Sequence, residues 1–295
     1  MKITFWGVRG SIASPGPDTV RYGGNTTCIE IRTDSNELII IDAGTGLFPL
    51  SRSLMGELPI TANVLITHSH WDHIQGLPFF LPNFIPGNTM RLHGAFDPIA
   101  GRGIEHVMAV QLQHSYFPVH ESDLTARIEY VNLLPEQRVQ IGSASVTPYL
   151  MSHPVINFGY RVESHGKSVF FTGDHEPLRN PHALHHPDYA ACQRSVDKQT
   201  AYLVQAMAGV DVLIADCSYT REEYPYKIGW GHGTFDSSIA YARQAGVGVL
   251  FCTHHEPTRS DDALERVFNQ ALADHPRKAG DPGYRLAYEG LSYTF

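Results

Sequence analysis

Residues 67–73 read THSHWDH, three histidines and an aspartate within seven positions, directly after the apolar run NVLI. Imidazole nitrogens and carboxylate oxygens are ligands for divalent metal ions, and no thiolate stands among them. A buried strand carries the backbone to its end, where His68 and His70, two apart, project from one side as the chain leaves the sheet. Asp72 and His73 follow in a turn or helix start, and the change of backbone direction aims them at a neighbouring position. One strand end can therefore serve two ions. Neither is complete on two ligands, because a zinc-like centre takes about three protein groups and keeps an open position for water.

Further ligands must come from elsewhere, and three more strand ends offer them. VTPYLMSHP brings His153, KSVFFTGD brings Asp174 and GVLFCTH brings His254. Each of these residues alone fits a solvated turn equally well. Their recurrence after four apolar runs argues for a site, since function on layered sheets collects at one set of strand termini with rigid elements behind it. The chain holds 17 histidines, several of them in short clusters at such ends.

The sequence resembles the metallo-β-lactamase fold superfamily. Its HxHxDH signature reads here as His68-Ser69-His70-Trp71-Asp72-His73, and the later single His, Asp and His match His153, Asp174 and His254. ELIIIDAGTG, with Asp42 after a buried strand, is similar to that family's second strand. The resemblance covers nearly the whole chain and implies an α/β fold, a four-layer αβ/βα sandwich with a dinuclear site in a cleft at the edge of the two sheets. It implies one ion on His68, His70 and His153, a second on Asp72, His73 and His254, and Asp174 as the bridge. His255 rivals His254, which directly follows the strand and Thr253 as in the family pattern. Asp42 either holds a ligand histidine through its second nitrogen or simply caps the strand end. Two divalent ions about 3.5–4 Å apart can hold a shared hydroxide and orient a substrate for in-line displacement, so hydrolysis is the expected chemistry. Zinc is the expected metal, with manganese or iron as alternatives.

The fold does not choose among β-lactams, lactones, thioesters and phosphodiesters. Residues 211–255 resemble the ribonuclease Z-like phosphodiesterase branch, in which an acidic residue after a buried strand and a histidine before a helix precede the last metal ligand. Those positions are Asp216 and His232. A histidine on the leaving oxygen protonates an alkoxide that is hard to expel near neutral pH. The family usually has glutamate where Asp216 stands, so the reach to His232 must be made up by the backbone. Members that trim transfer-RNA precursors carry a long basic arm, and between His153 and Asp174 there is no room for one. The expected substrate is a small or cyclic nucleotide-like phosphodiester. A lactonase or other carbonyl-ester hydrolase on the same metals is the alternative, and a diiron oxygen-reacting or sensing protein stands further off because His70 occupies the place of that class's glutamate. The glycine-rich segment FWGVRGSIASPGPDTVRYGGNTTC offers backbone N–H groups to phosphate and Arg9 and Asn25 to substrate, with hairpin turns as an equal explanation.

Short β-branched or aromatic runs must position these residues: KITFW, TCIEIR, ELIIID, NVLIT, ARIEYV, ASVTPYL, FGYRVE, KSVFFT, DVLIAD, GVLFC and YRLAYE read as strands. Helices are expected around 45–55, 98–111, 199–209, 234–245 and 261–273, the fourth capped by Thr234. No Pro-, Gly- or Ser-rich linker divides the 295 residues, so a single domain is expected, with a loop or lid insertion around 175–200. The net charge of −8 argues against a broad basic face for long nucleic acids. The N-terminus does not read as a signal peptide and no run is long enough to span a bilayer, so a cytoplasmic protein without a membrane partner is expected. Cys28, Cys192, Cys217 and Cys252 have no metal or disulfide spacing and read as reduced thiols. Relatives of this branch often dimerise, which makes a homodimer the expected assembly if there is one.

Overall fold

The computed structural model describes residues 1–295. Strands, numbered in chain order, form two seven-stranded sheets. The first contains β1 (Lys2–Gly7), β2 (Cys28–Arg32), β3 (Leu38–Ile41), β4 (Thr61–Leu65), β5 (Thr89–Ala95), β6 (Arg127–Leu133) and β14 (Ser292–Thr294), in the order β14-β1-β2-β3-β4-β5-β6. The second contains β7 (Val139–Ile141), β8 (Ala144–Leu150), β9 (Phe158–Ser164), β10 (Lys167–Phe171), β11 (Val212–Asp216), β12 (Val249–Thr253) and β13 (Gly283–Leu286), in the order β13-β12-β11-β10-β9-β8-β7. The helices are α1 (Leu47–Ser53), α2 (Trp71–Ile74), α3 (Ile104–Gln111), α4 (Tyr189–Met207), α5 (Phe235–Ala245) and α6 (Asp261–Asp274). None is long and apolar enough to cross a membrane.

The layering follows from the two faces of each strand. Ile39 and Ile41 of β3 point towards the second sheet and pack with Phe158, Tyr160, Phe171, Ile214 and Phe251 in a core between the sheets. Ile40, one residue out of phase, points the other way and packs under α1 and α3 with Leu47, Leu50, Ile104 and Met108. On the far side, Phe170, Leu213 and Leu250 meet Leu203 and Met207 of α4, Ile239 of α5 and Leu264 of α6. The order is helices, sheet, sheet, helices: the αβ/βα sandwich implied by the resemblance. Strands β3, β11 and β12 read as near-continuous apolar runs because both faces are covered.

Strands β3 to β6 run parallel, as do β10 to β13. The C-terminal ends of β3, β4, β10, β11 and β12 carry Asp42, the THSHWDH segment, Asp174, Asp216 and His254. Two bonds lock the sheets together at that edge. Tyr160 Oη of β9 donates to the Ile66 carbonyl at 2.6 Å, and the Phe158 amide donates to the Thr67 carbonyl at 2.9 Å.

Eleven strands lie where the apolar runs place them. β5, β7 and β14 were not expected: Arg91, His93 and Gly94 break the apolar pattern of β5, and the other two are three-residue edges. α5 is capped by Thr234, whose hydroxyl accepts the Ser237 amide at 3.0 Å. α3 is shorter than 98–111, because Gly101 and Gly103 keep its first residues in a turn. The expected loop over 175–200 is loop only to residue 188. α4 begins at Tyr189, ten residues before the expected helix; its first half buries no side chain, so no apolar periodicity announced it, and Ala, Gln, Arg and Lys favour the helix there through intrinsic propensity.

Replacing Tyr160 by Phe removes the cross-sheet bond and leaves a buried carbonyl without its side-chain partner. Urea unfolding is expected to show a loss of about 1–3 kcal/mol; an unchanged midpoint would mean the two sheets hold their edge without this contact.

Candidate metal centre

The chain leaves β4 through Thr67 and turns at His70, which precedes the first turn of α2, so His68 and His70 project from the strand end while Asp72 and His73 project from the helix. Asp42, just past β3, sits at φ 61, a left-handed conformation that costs a non-glycine residue about 1–2 kcal/mol. Its carboxylate accepts the Thr67 amide at 2.8 Å and the Thr67 hydroxyl at 2.9 Å, and lies 2.7 Å from His73 Nδ1. Asp42 thus orients a site histidine through its second nitrogen, the first of the two roles left open. Thr67 Oγ1 stands 3.1 Å from His68 Nδ1, extending the same relay to a second histidine.

Distant stretches converge on Asp174, which is 1% exposed. Its Oδ2 lies 3.5 Å from His68 Nε2 and 4.0 Å from His153 Nε2, and His153 Nε2 is 3.2 Å from His70 Nδ1. Its Oδ1 lies 3.2 Å from His73 Nε2 and 3.1 Å from His254 Nε2, while Asp72 Oδ2 is 3.3 Å from each of those nitrogens. The seven residues therefore form two groups, His68–His70–His153 and Asp72–His73–His254, and each faces a different oxygen of Asp174. The other nitrogen of each buried histidine is engaged away from the centre: His153 Nδ1 with the Gly231 carbonyl at 2.9 Å, and His254 Nδ1 with Ser218 Oγ at 2.9 Å. His255 is not part of the cluster. It is buried elsewhere, bonds the Ala287 carbonyl through Nε2 at 2.8 Å, and burial drops it to about 3.

Asp216 and His232 lie beside this cluster. His232 Nδ1 is 2.9 Å from Asp216 Oδ2 and 3.7 Å from Asp174 Oδ2, and its ring stacks on His254 at a centroid distance of 4.7 Å. Burial opposes a charge on His232, but Asp216 and Asp174 outweigh it and raise the imidazole to about 9. Four further residues hold the arrangement. Ser218 bridges Asp216 Oδ1, at 2.7 Å, and the His254 carbonyl, at 2.8 Å. Buried Glu176 accepts the Gly229 and Gly231 amides, each at 2.9 Å, and the Tyr224 hydroxyl at 2.8 Å, pinning the loop that ends at His232. Gly231, at φ 88, lies so close to His153 that a Cβ there would fall 2.3 Å from its Nδ1. The Ser11 amide donates to Asp72 Oδ2 at 2.7 Å, from a residue also at left-handed φ. Ser218 is legible as the Asp-x-Ser spacing at the end of β11 and Glu176 as the acidic residue two positions after Asp174; Ser11 acts through its backbone and leaves no side-chain signal.

The donor set fits divalent cations. Asp42, Asp72, Asp174 and Asp216 are four buried carboxylates, and buried anions need cationic partners. Meanwhile His68 Nε2, His73 Nε2 and Asp174 Oδ1 are buried with no hydrogen-bond partner, and all three point into the gap between the groups. Despite burial, the imidazoles of His254 and His73 hold Asp174 well below the usual carboxylate range, and His73, surrounded by Asp174, Asp72 and Asp42, is pushed well above its ordinary value. The carboxylates thus favour positive charge at this point, which divalent ions held by neutral ligands would supply.

A cavity of about 450 Å³ opens over the cluster, lined by Ser11, Ser69, His70, Trp71, Asp72, Asp174 and His232. Trp71 is 80% exposed beside it. Arg9 is not a substrate contact: it is fully buried, with donors spent on the carbonyls of Gly23 and Arg259, both at 2.8 Å. Asn25 is likewise committed, to Glu289 at 2.9 Å.

The β-lactamase superfamily domain matches residues 37–255. Ribonuclease BN of Cronobacter sakazakii is 23% identical over 94% of this chain and 96% of its own length. Ribonuclease Z of Mycolicibacterium gilvum is 28% identical over 83% of this chain and 82% of its own. A metallo-β-lactamase fold protein of Bacillus subtilis superposes with a TM-score of 0.68 at 17% identity, covering 99% of this chain and 98% of that one. The matched span runs from the start of β3 to the residue after His254 and takes in every histidine and aspartate of the cluster, and on that ground the chain belongs to the β-lactamase superfamily, as a metal-dependent hydrolase akin to ribonuclease Z.

Proposed function

We propose that the protein is a dinuclear phosphodiesterase acting on a small or cyclic nucleotide-like phosphodiester. The observation that carries this reading is the hydrogen-bonded pair Asp216–His232 at the rim of the metal cluster, with His232 lining the cavity over it. His68, His70 and His153 would hold one divalent ion and Asp72, His73 and His254 the other, each group facing one oxygen of Asp174. Bound there, the ions supply Lewis-acid charge to the phosphoryl oxygens and a nucleophile from water at neutral pH.

The chain's own residues do the rest. Asp216 fixes the His232 ring through Nδ1, which leaves Nε2 as the nitrogen available to substrate. From there His232 gives a proton to the departing alkoxide oxygen, and Asp216 stabilises the imidazolium before transfer.

The length of chain between the ligands supports a small substrate. Residues 151–157 join β8 to β9, and His165-Gly166 alone turn β9 into β10, so nothing protrudes between His153 and Asp174. Together with the net charge of −8, this favours a compact diester over the body of an RNA, although two of the similar proteins are named ribonucleases.

Two measurements test the reading. Metal analysis of the freshly purified protein is expected to give about two ions per chain, and His68→Ala and His73→Ala each to lower that content; both variants binding as much metal as the wild type would remove the proposed ligands. Activity on bis(p-nitrophenyl) phosphate and on diesters with poorer alcohol leaving groups is compared between wild type and His232→Ala. A loss of about 10² or more is expected on the poor leaving groups, with a smaller loss on the activated aryl ester. Rapid lactone hydrolysis with no diesterase activity would overturn the assignment.

A further inference from the structure

A second cavity, of about 230 Å³, opens beside the metal cluster and plays no part in the chemistry described above. His68 and Ser69 line it, and Ser69 lines the cavity over the cluster as well, so the two spaces share a wall. Ile66, Ile104, Val107 and Ile156 give it aliphatic walls, and Asp97, whose Oδ1 accepts the Ile99 amide at 2.8 Å and the Ala100 amide at 3.1 Å, lines it too. Arg102 and His106 also line it, with Arg102 Nη1 2.8 Å from His106 Nε2. That contact is the only side-chain hydrogen bond Arg102 makes, and its guanidinium pairs with no carboxylate, so most of its donors are free for a ligand.

We infer that this side pocket is the subsite for the substituent that stays on phosphorus, and that it takes an aryl or heteroaryl group, such as a nucleobase, bearing an acceptor atom for Arg102. The inference rests on the phosphodiesterase reading. Size limits the occupant: about 230 Å³ is below the roughly 300–1,000 Å³ of pockets that enclose a whole drug-sized ligand, so one ring system fits and a complete nucleotide does not. Chemistry narrows it further, because aliphatic walls favour a flat apolar body and a planar guanidinium favours carbonyl or ring-nitrogen acceptors at its edge.

Position assigns the group that remains on phosphorus. Apart from residues 155 and 156, the pocket is built from the first sheet and its helix: the ends of β4 and β5, the turn that follows β5, and α3. His232, which protonates the leaving oxygen, comes from the loop after β11 in the second sheet. A diester held between them points one ester oxygen at His232 and its other substituent towards Ser69.

Two p-nitrophenyl diesters with the same leaving group test this: methyl p-nitrophenyl phosphate and thymidine 5′-(p-nitrophenyl phosphate). Wild type is expected to prefer the thymidine ester in kcat/KM by about tenfold or more. Ala100→Trp fills the pocket from an exposed turn residue, and is expected to erase that preference while changing the methyl ester less than about twofold. Arg102→Met is expected to raise KM for the thymidine ester alone. If wild type cleaves both esters equally, or Ala100→Trp slows both equally, the subsite is wrong and the diesterase reading stands. If wild type cleaves neither ester, both readings fall.

Discussion

Four carboxylates buried at one seam between two sheets are the constraint on which this molecule turns. Without a compensating cation, each would cost several kcal/mol in desolvation, more than a typical domain can absorb several times over. The surrounding imidazoles answer part of that charge: against the cost of burial, the neighbouring carboxylates favour the protonated form of His73 and His232. Protons are an imperfect answer, because His68 is driven well below its ordinary value by burial and by the charge on His73, and its Nε2 faces Asp174 without a hydrogen bond. Divalent ions would remove the conflict, because neutral histidines could then donate lone pairs while the ions supplied the positive charge the carboxylates need.

Metal binding depends on the core between the sheets, and the ligand groups show why. The first sheet supplies His68 and His70 to one group and Asp72 and His73 to the other, whereas His153, Asp174 and His254 come from the second. Neither sheet can complete a group alone. The packing of Ile39 and Ile41 against Phe171 and Ile214, with the Tyr160 hydroxyl on the Ile66 carbonyl, therefore sets the distance between half-sites. Interiors at close-packed density transmit small displacements, so a change in this core reaches the metal positions. Left-handed backbone at Ser11, Asp42 and His254 places strain at the same seam, where the surrounding contacts over-determine it.

The sequence was most readable where a side chain and its strand carry one signal. His68, His70, Asp72, His73, His153, Asp174 and His254 each follow an apolar run, and the fold brings all seven together because parallel strands end on one edge. Residues whose work is done by the main chain were harder to see. Ser11 offers only an amide, and Gly231 matters through its lack of a Cβ and the carbonyl it presents to His153. Arg9, open in sequence between a substrate contact and a turn, is decided by burial. A lone arginine in a glycine-rich segment has the look of an anion contact, yet complete burial turns its donors towards backbone carbonyls of the loops it ties together. The early start of α4 was hidden because an exposed helix needs no apolar stripe.

Asp216 illustrates how backbone position substitutes for side-chain length. The resemblance implies glutamate at that place, and a carboxylate one methylene shorter reaches less far. Here the histidine has come to the aspartate. Glu176 draws in the Gly229 and Gly231 amides, glycines at φ 87 and 88 permit the sharp path, and His232 arrives 2.9 Å from Asp216 Oδ2. The same carboxylate accepts the His175 amide at 3.2 Å, the Gly233 amide at 3.3 Å and both the amide and the hydroxyl of Ser218. These donors come from the chain after β10, after β11 and before α5, so Asp216 is held by the segments that it holds. A short side chain with so many partners has little rotamer freedom left to lose, and its orientation towards His232 is set before substrate arrives. A glutamate at this position would have to displace either Ser218, and with it the contact to His254 Nδ1, or the loop carrying His232.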